Sequence, residues 1–134
     1  MDSKKKEVLS LLTELIKFAK SDKQYRESEH RFLLAVSFQL GVSLDEFESL
    51  FESNINFTPP KKESERILQF QRLVLLMNID NEVSEIELHK IKDFGIRLGL
   101  HPDAISEVLS EMKNHEDSLI PADKLIAIFR VHHN

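Results

Sequence analysis

The chain reads as an all-α protein: a single-domain bundle of about seven helices, built from two pseudo-symmetric three-helix repeats plus a C-terminal helix. Three observations predict it. Apolar residues recur at intervals of three and four along most of the chain, the spacing of one face of a helix. Only 3 glycines and 4 prolines interrupt 134 residues, which favours long regular elements over a loop-rich chain. Finally, the stretch from Ser21 to Phe51 recurs 58 positions later without a gap. Asp22 pairs with Asp80, Glu27 with Glu85, Glu29 with Glu87, Leu40 with Leu98, Gly41 with Gly99 and Asp45 with Asp103.

Each element has its own local reason. From about residue 3 to 21, Val8, Leu9, Leu11, Leu12, Leu15, Ile16 and Ala19 make one apolar stripe with Lys and Glu opposite, an amphipathic helix. A second helix is expected over about 26–40, striped by Phe32, Leu33, Val36 and Leu40 and stopped by Gly41, which suits the left-handed C′ position. The third opens at Ser43, whose hydroxyl and the Glu46 carboxylate can form a reciprocal capping box, and fades near Ser53.

The connector 54–60 holds Pro59-Pro60, so a fourth helix is placed over about 59–78 with Thr58 as its cap. Ile67, Leu68, Phe70 and the run Leu73 to Met77 make that helix apolar on nearly every side, which predicts a central position. Helices over about 84–98, 102–113 and 121–132 complete the set. The same 58-residue offset carries Leu9, Leu12, Leu15 and Ile16 onto Ile67, Phe70, Leu73 and Val74, so the repeating unit is three helices. Repeat one then covers about 8–56 and repeat two about 59–114.

Composition narrows the function classes. A formal charge of −5 gives no electrostatic reason to expect a nucleic-acid partner. The absence of cysteine rules out thiolate chemistry and cysteine-ligated zinc, and agrees with a reducing, cytoplasmic setting. Lys4, Lys5 and Lys6 ahead of Val8 and Leu9 imitate a signal peptide, but Glu7, Glu14 and Lys17 break the apolar run, so the expectation is an ordinary helix. The longest apolar run, Leu73 to Met77, is far too short to insert in a bilayer.

The two acidic turns carry the one motif of note. An Asp opens each (Asp22, Asp80), an apolar or aromatic residue follows three on (Tyr25, Val83), Ser84 caps the second, Glu29 and Glu87 lie in the next turn, and Leu-Gly ends the helix. This pattern resembles the TerB-like helical family, over about 9–112 of the chain. Lys23 and Asn81 stand where that family typically has glycine, and Arg26 where it has a cap, so the turn from Asp80 to Glu87 is the better match. The resemblance implies an all-α fold of about seven helices, a link to tellurite resistance and other stress responses, acidic surface sites with possible metal ions, and no established catalysis.

The residues themselves point the same way. Asp22 and Glu29 with Asp80 and Glu87 offer hard oxygen ligands of the kind that suit magnesium, calcium or manganese. Against this, Glu87 fits equally well as the capping partner of Ser84, and acids in a first helical turn complement the helix dipole.

Sharper motifs fail on inspection. Counted from Asp80, positions six and twelve are Glu85 and Ile91, which no EF-hand tolerates. Glu27-x-x-His30 has no second copy to build a di-iron centre. The helix after Gly41 has a helix-turn-helix outline but presents Asp45, Glu46, Glu48 and Glu52, which a phosphate backbone repels. His30, His89, His101, His115, His132 and His133 read as scattered surface residues, with His132 and His133 a weak terminal metal pair. No nucleophile elbow or phosphate-cradling loop occurs.

Two functions are therefore expected. One is a non-catalytic stress-response module that receives a protein partner on an acidic face or inter-repeat groove. The alternative is a divalent-ion binder or sensor using Asp22, Glu29, Asp80 and Glu87.

Overall fold

The computed structural model describes residues 3–21, 25–53, 55–79, 85–112, 114 and 120–132. Among these the regular structure is entirely helical: α1 (Ser3–Lys20), α2 (Glu27–Gln39), α3 (Leu44–Ser49) running into a 3₁₀ turn (Leu50–Glu52), α4 (Glu63–Met77), α5 (Glu85–Arg97), α6 (Pro102–Met112) and α7 (Ala122–Val131). No helix among the described residues is long and apolar enough to cross a membrane. The chain divides into two compact units, Met1–Pro59 and Pro60–Asn134, so the boundary falls at the Pro-Pro connector.

In the first unit, α1 packs on α2 and on the 3₁₀ turn, and α3 packs on α2. Its core is Leu12, Leu15, Leu33 and Phe47, each fully buried. From Leu9 to Ala19, α1 is buried almost all round, more than its amphipathic pattern predicts, because polar residues on its other face are buried too. Ser10, Thr13 and Glu14 all lie inside. Two of the three show why this is tolerated: the Ser10 hydroxyl accepts the Thr58 amide at 2.7 Å, and the Thr13 hydroxyl donates to the Leu9 carbonyl at 2.7 Å. A buried hydroxyl with its bond made costs little.

Both elbow glycines behave as their positions demand. Gly41 has φ +76° and Gly99 φ +84°. The Gly41 amide donates to Phe38 O and the Val42 amide to Ser37 O; the Gly99 amide donates to Ile96 O and the Leu100 amide to Gly95 O. These are the two bonds of a Schellman stop, made in the same register in each unit. The capping box at α3 also forms: Glu46 N–H donates to Ser43 Oγ at 3.2 Å, and Ser43 N–H donates to Glu46 Oε1 at 3.2 Å.

The fourth helix departs from expectation at its start. It begins at Glu63, with Lys62 in the capping position, and Thr58 is no cap. Proline restricts the residue before it to extended backbone, so Pro60 bars Pro59 from the first helical position. The Thr58 amide turns to Ser10 instead.

The second unit closes on itself: α4 packs on α5, α5 on α6, α6 on α7 and α7 back on α4. Phe70, Leu73, Ile91, Ala104 and Val108 are fully buried at its centre. α7 runs antiparallel to α6, since Lys124 near its start pairs with Glu111 while His132 at its end reaches Glu107. Phe129 holds it against α4 through an edge-to-face contact with Phe70, centroids 6.0 Å apart.

Candidate functional site

The acidic turns come first. Asp22 and Asp80 lie outside the described residues, as do Ser84 and the turn between them. Glu29 sits in the first turn of α2, where its Oε1 accepts the Arg26 amide at 3.0 Å. That bond satisfies one of the unpaired donors that open a helix, the structural role that acids in this position usually serve. Neighbouring Glu27 is bonded to Arg31 one turn on, at 2.7 Å. Glu87 occupies the corresponding turn of α5, in the other unit.

A different constellation forms in the second unit. His101, Asp103 and His132 each bring one ligand-type atom to within 4.8 Å of the other two. The fold assembles it from both ends of the α6–α7 pair. The Schellman stop at Gly99 turns the chain after α5, Leu100 buries itself, and His101 becomes the residue that caps α6. Pro102 occupies the first helical position, where a missing N–H is harmless. Because α7 returns antiparallel, His132 just past its end comes back to the start of α6, and the ring centroids of His101 and His132 lie 5.5 Å apart.

The hydrogen bonds define which atoms are committed. The Asp103 amide donates to His101 Nδ1 at 3.1 Å, so that nitrogen carries no proton and serves as the cap of α6. The Asp103 carboxylate stands 4.0 Å from the same nitrogen. His132 Nε2 lies 2.7 Å from Glu107 Oε2, which adds a second carboxylate beside the cluster.

The cluster opens on a cleft of about 430 Å³. The first turn of α4 contributes Glu63 and Arg66, the α5–α6 elbow contributes Gly99 to Pro102, and α7 contributes Phe129 and His132. That volume lies within the usual range for small-ligand sites. Arg66 is half-buried, and its Nε is enclosed with no hydrogen-bond partner among the described residues.

Nothing in their spacing joins His101 and His132, which stand 31 residues apart (132 − 101), and the sequence pairs His132 only with its neighbour His133. The available signal was local. His-Pro-Asp at a helix start presents an imidazole from the cap and a carboxylate from the second helical position, and only the direction of α7 adds the third group.

No family model matches this chain, and neither the curated proteins nor the solved structures contain a match to it. The class established is thus that of its own architecture, an all-α protein with a His/Asp/His cluster on a cleft.

Proposed function

We propose that the chain is a non-catalytic helical module that binds a divalent transition-metal ion of the zinc type through His101, Asp103 and His132. The observation that supports it is the convergence of three such donors within 4.8 Å. In a tetrahedral shell with bonds near 2.0–2.1 Å, donors stand roughly 3.3 Å apart, so small side-chain rotations close the site. Two imidazoles and one carboxylate suit zinc, nickel or cobalt better than calcium or magnesium.

Binding has two built-in costs. Whichever nitrogen of His101 takes the ion, the bond from Nδ1 to the Asp103 amide is lost, at about 1 kcal/mol. At His132, protons compete with the ion for the imidazole, which makes affinity fall as pH drops.

The test is titration with Co²⁺, read by its visible absorption, and with Zn²⁺ by calorimetry. His132→Ala and His101→Asn should each weaken binding on the order of tenfold or more. Asparagine keeps a capping oxygen at the start of α6, so the second variant removes the imidazole without uncapping the helix. If the double variant binds as tightly as the parent, the reading is wrong.

The hard-ion alternative, magnesium, calcium or manganese held by Asp22, Glu29, Asp80 and Glu87, makes the opposite forecast. A calcium- or magnesium-dependent rise in melting temperature, lost in Asp80→Ala and kept in His132→Ala, would move the site to the acidic turns.

A protein partner is the second reading, and one observation favours it. Phe38 and Leu44, on either side of the Gly41 elbow, are 58 % and 46 % exposed. Exposed large apolar side chains that form a patch mark an interaction surface. A photo-crosslinker at position 38 should give one discrete adduct in cells that the same group at Ala35 does not; equal labelling at both removes this reading.

We further infer that residues 27–49 and 85–107 belong to two copies of one three-helix element. Two facts support the inference: α5 begins and ends 58 residues after α2 (85 − 27 and 97 − 39), and Phe38 and Ile96, one such step apart, are both exposed at their elbows. Experimental coordinates in which 27–49 and 85–107 fail to superpose would remove it.

A further inference from the structure

We propose that the metal site takes a small oxyanion, a carboxylate or a phosphate group, bridged between the ion and Arg66; this rests on the metal reading above. Three protein donors leave at least one coordination position of a four-coordinate ion for an outside ligand. His101 and His132 both line the cleft, so that position faces the space that Arg66 also lines.

Arg66 is the one permanently charged cation among the residues described around the cleft. A guanidinium presents five N–H donors in a flat fork that matches the two oxygens of a carboxylate or phosphate. Here its Nε is enclosed without a hydrogen-bond partner among the described residues, so the group holds unspent donor capacity inside the protein wall.

The backbone makes room for that fork. A β-carbon on Gly99 would stand 3.0 Å from Arg66 Nη1, so the guanidinium lies directly over the glycine of the α5–α6 elbow. His101, two residues further on, belongs to the same elbow. Cation and cluster therefore line one cleft, Arg66 from α4 and the histidines from the ends of α6 and α7. A chain with a formal charge of −5 gains anions only where such a local arrangement draws them.

The experiment uses the full chain loaded with Co²⁺, followed by visible absorption as succinate or inorganic phosphate is added. Wild-type protein should show a saturable spectral change with at least one anion. Arg66→Gln should bind Co²⁺ as the parent does but weaken the anion by about tenfold or more, with Arg66→Lys between the two.

A response to succinate alone identifies a carboxylate ligand, and to phosphate alone a phosphate; both outcomes support the bridge. If Arg66→Gln, melting like the parent, binds the anion equally well, the assignment of Arg66 is overturned while the metal site stands. If Co²⁺ itself does not bind, the metal reading has failed and the bridge falls with it. Anion binding that depends on Arg66 but not on Co²⁺ overturns the bridge as stated.

Discussion

Arg66 lies over Gly99: Nη1 would come within 3.0 Å of any β-carbon placed on that glycine. Gly41, its counterpart in the first unit, has nothing within 4 Å of the same position. Both have positive φ, +84° and +76°, so alanine is strained at either by about 1–2 kcal/mol. Chemical denaturation should therefore show similar losses for Gly41→Ala and Gly99→Ala, partly recovered by asparagine. Only Gly99→Ala should also weaken anion binding to the metal-loaded protein, because only there must a guanidinium move. Equal anion affinity in the two variants would separate Arg66 from the elbow.

Gly95 tests packing without any backbone strain. It lies buried in α5, where a β-carbon would meet Ile105 Cδ1 at 2.6 Å and Phe70 Cε1 at 3.0 Å. Alanine improves an isolated helix by up to about 1 kcal/mol, whereas overfilling a core costs about 1–3 kcal/mol. Gly95→Ala should thus be destabilising. Ile105→Val removes the offending Cδ1, so in the Gly95→Ala background it should cost less than in the parent, or even stabilise. Additive losses in denaturation midpoints would show that α5 shifts away and the contact does not govern the site.

The helices were legible because their signals are local. Gly41 and Gly99 stop α2 and α5 through backbone geometry that only neighbouring residues determine, and the Ser43–Glu46 box is complete within four residues. The Thr58 cap fails for a reason of the same kind: Pro59 suits a helix start by itself, but Pro60 restricts it to extended backbone. The polar face of α1 was misread because Ser10 is satisfied by Thr58, 48 residues away. The His101–Asp103–His132 cluster was invisible for that reason too. His101 and His132 are joined only by the antiparallel return of α7, and no pattern of one residue type announces it.

Lys5 and Glu46 give a pH dependence that belongs to the first unit. Lys5 Nζ lies 3.0 Å from Glu46 Oε1, and the Ser43 amide donates to the same oxygen. Lys5 first, then the Ser43 amide, hold the Glu46 carboxyl below the usual glutamate range. A carboxyl depressed in the folded state adds stability that is fully present above its unfolded pKa and lost as pH falls through the folded one. Melting temperature should accordingly decline on acidification through and below the ordinary glutamate range, and Glu46→Gln should flatten that part of the curve. A Glu46→Gln profile parallel to the parent over the whole acid range would show that the pair contributes nothing, as many exposed ion pairs do.

Tyr25 sets the opposite limb. Its hydroxyl lies 2.8 Å from His30 Nδ1, and its ring meets Phe51 at 5.8 Å between centroids. Burial first, and the Glu29 carboxylate second, push the phenol up from 10.0 to about 12. The folded chain thus holds this proton where the unfolded chain has released it, so stability is complete below pH 10 and falls between 10 and about 12. The chain has one tyrosine and no tryptophan, so tyrosinate absorbance reports this group alone. Titration of the folded protein should give a midpoint near 12 that drops towards 10 in denaturant. Tyr25→Phe should lose the decline in stability over the same interval. A native midpoint near 10 would place the phenol in water and break its link to His30.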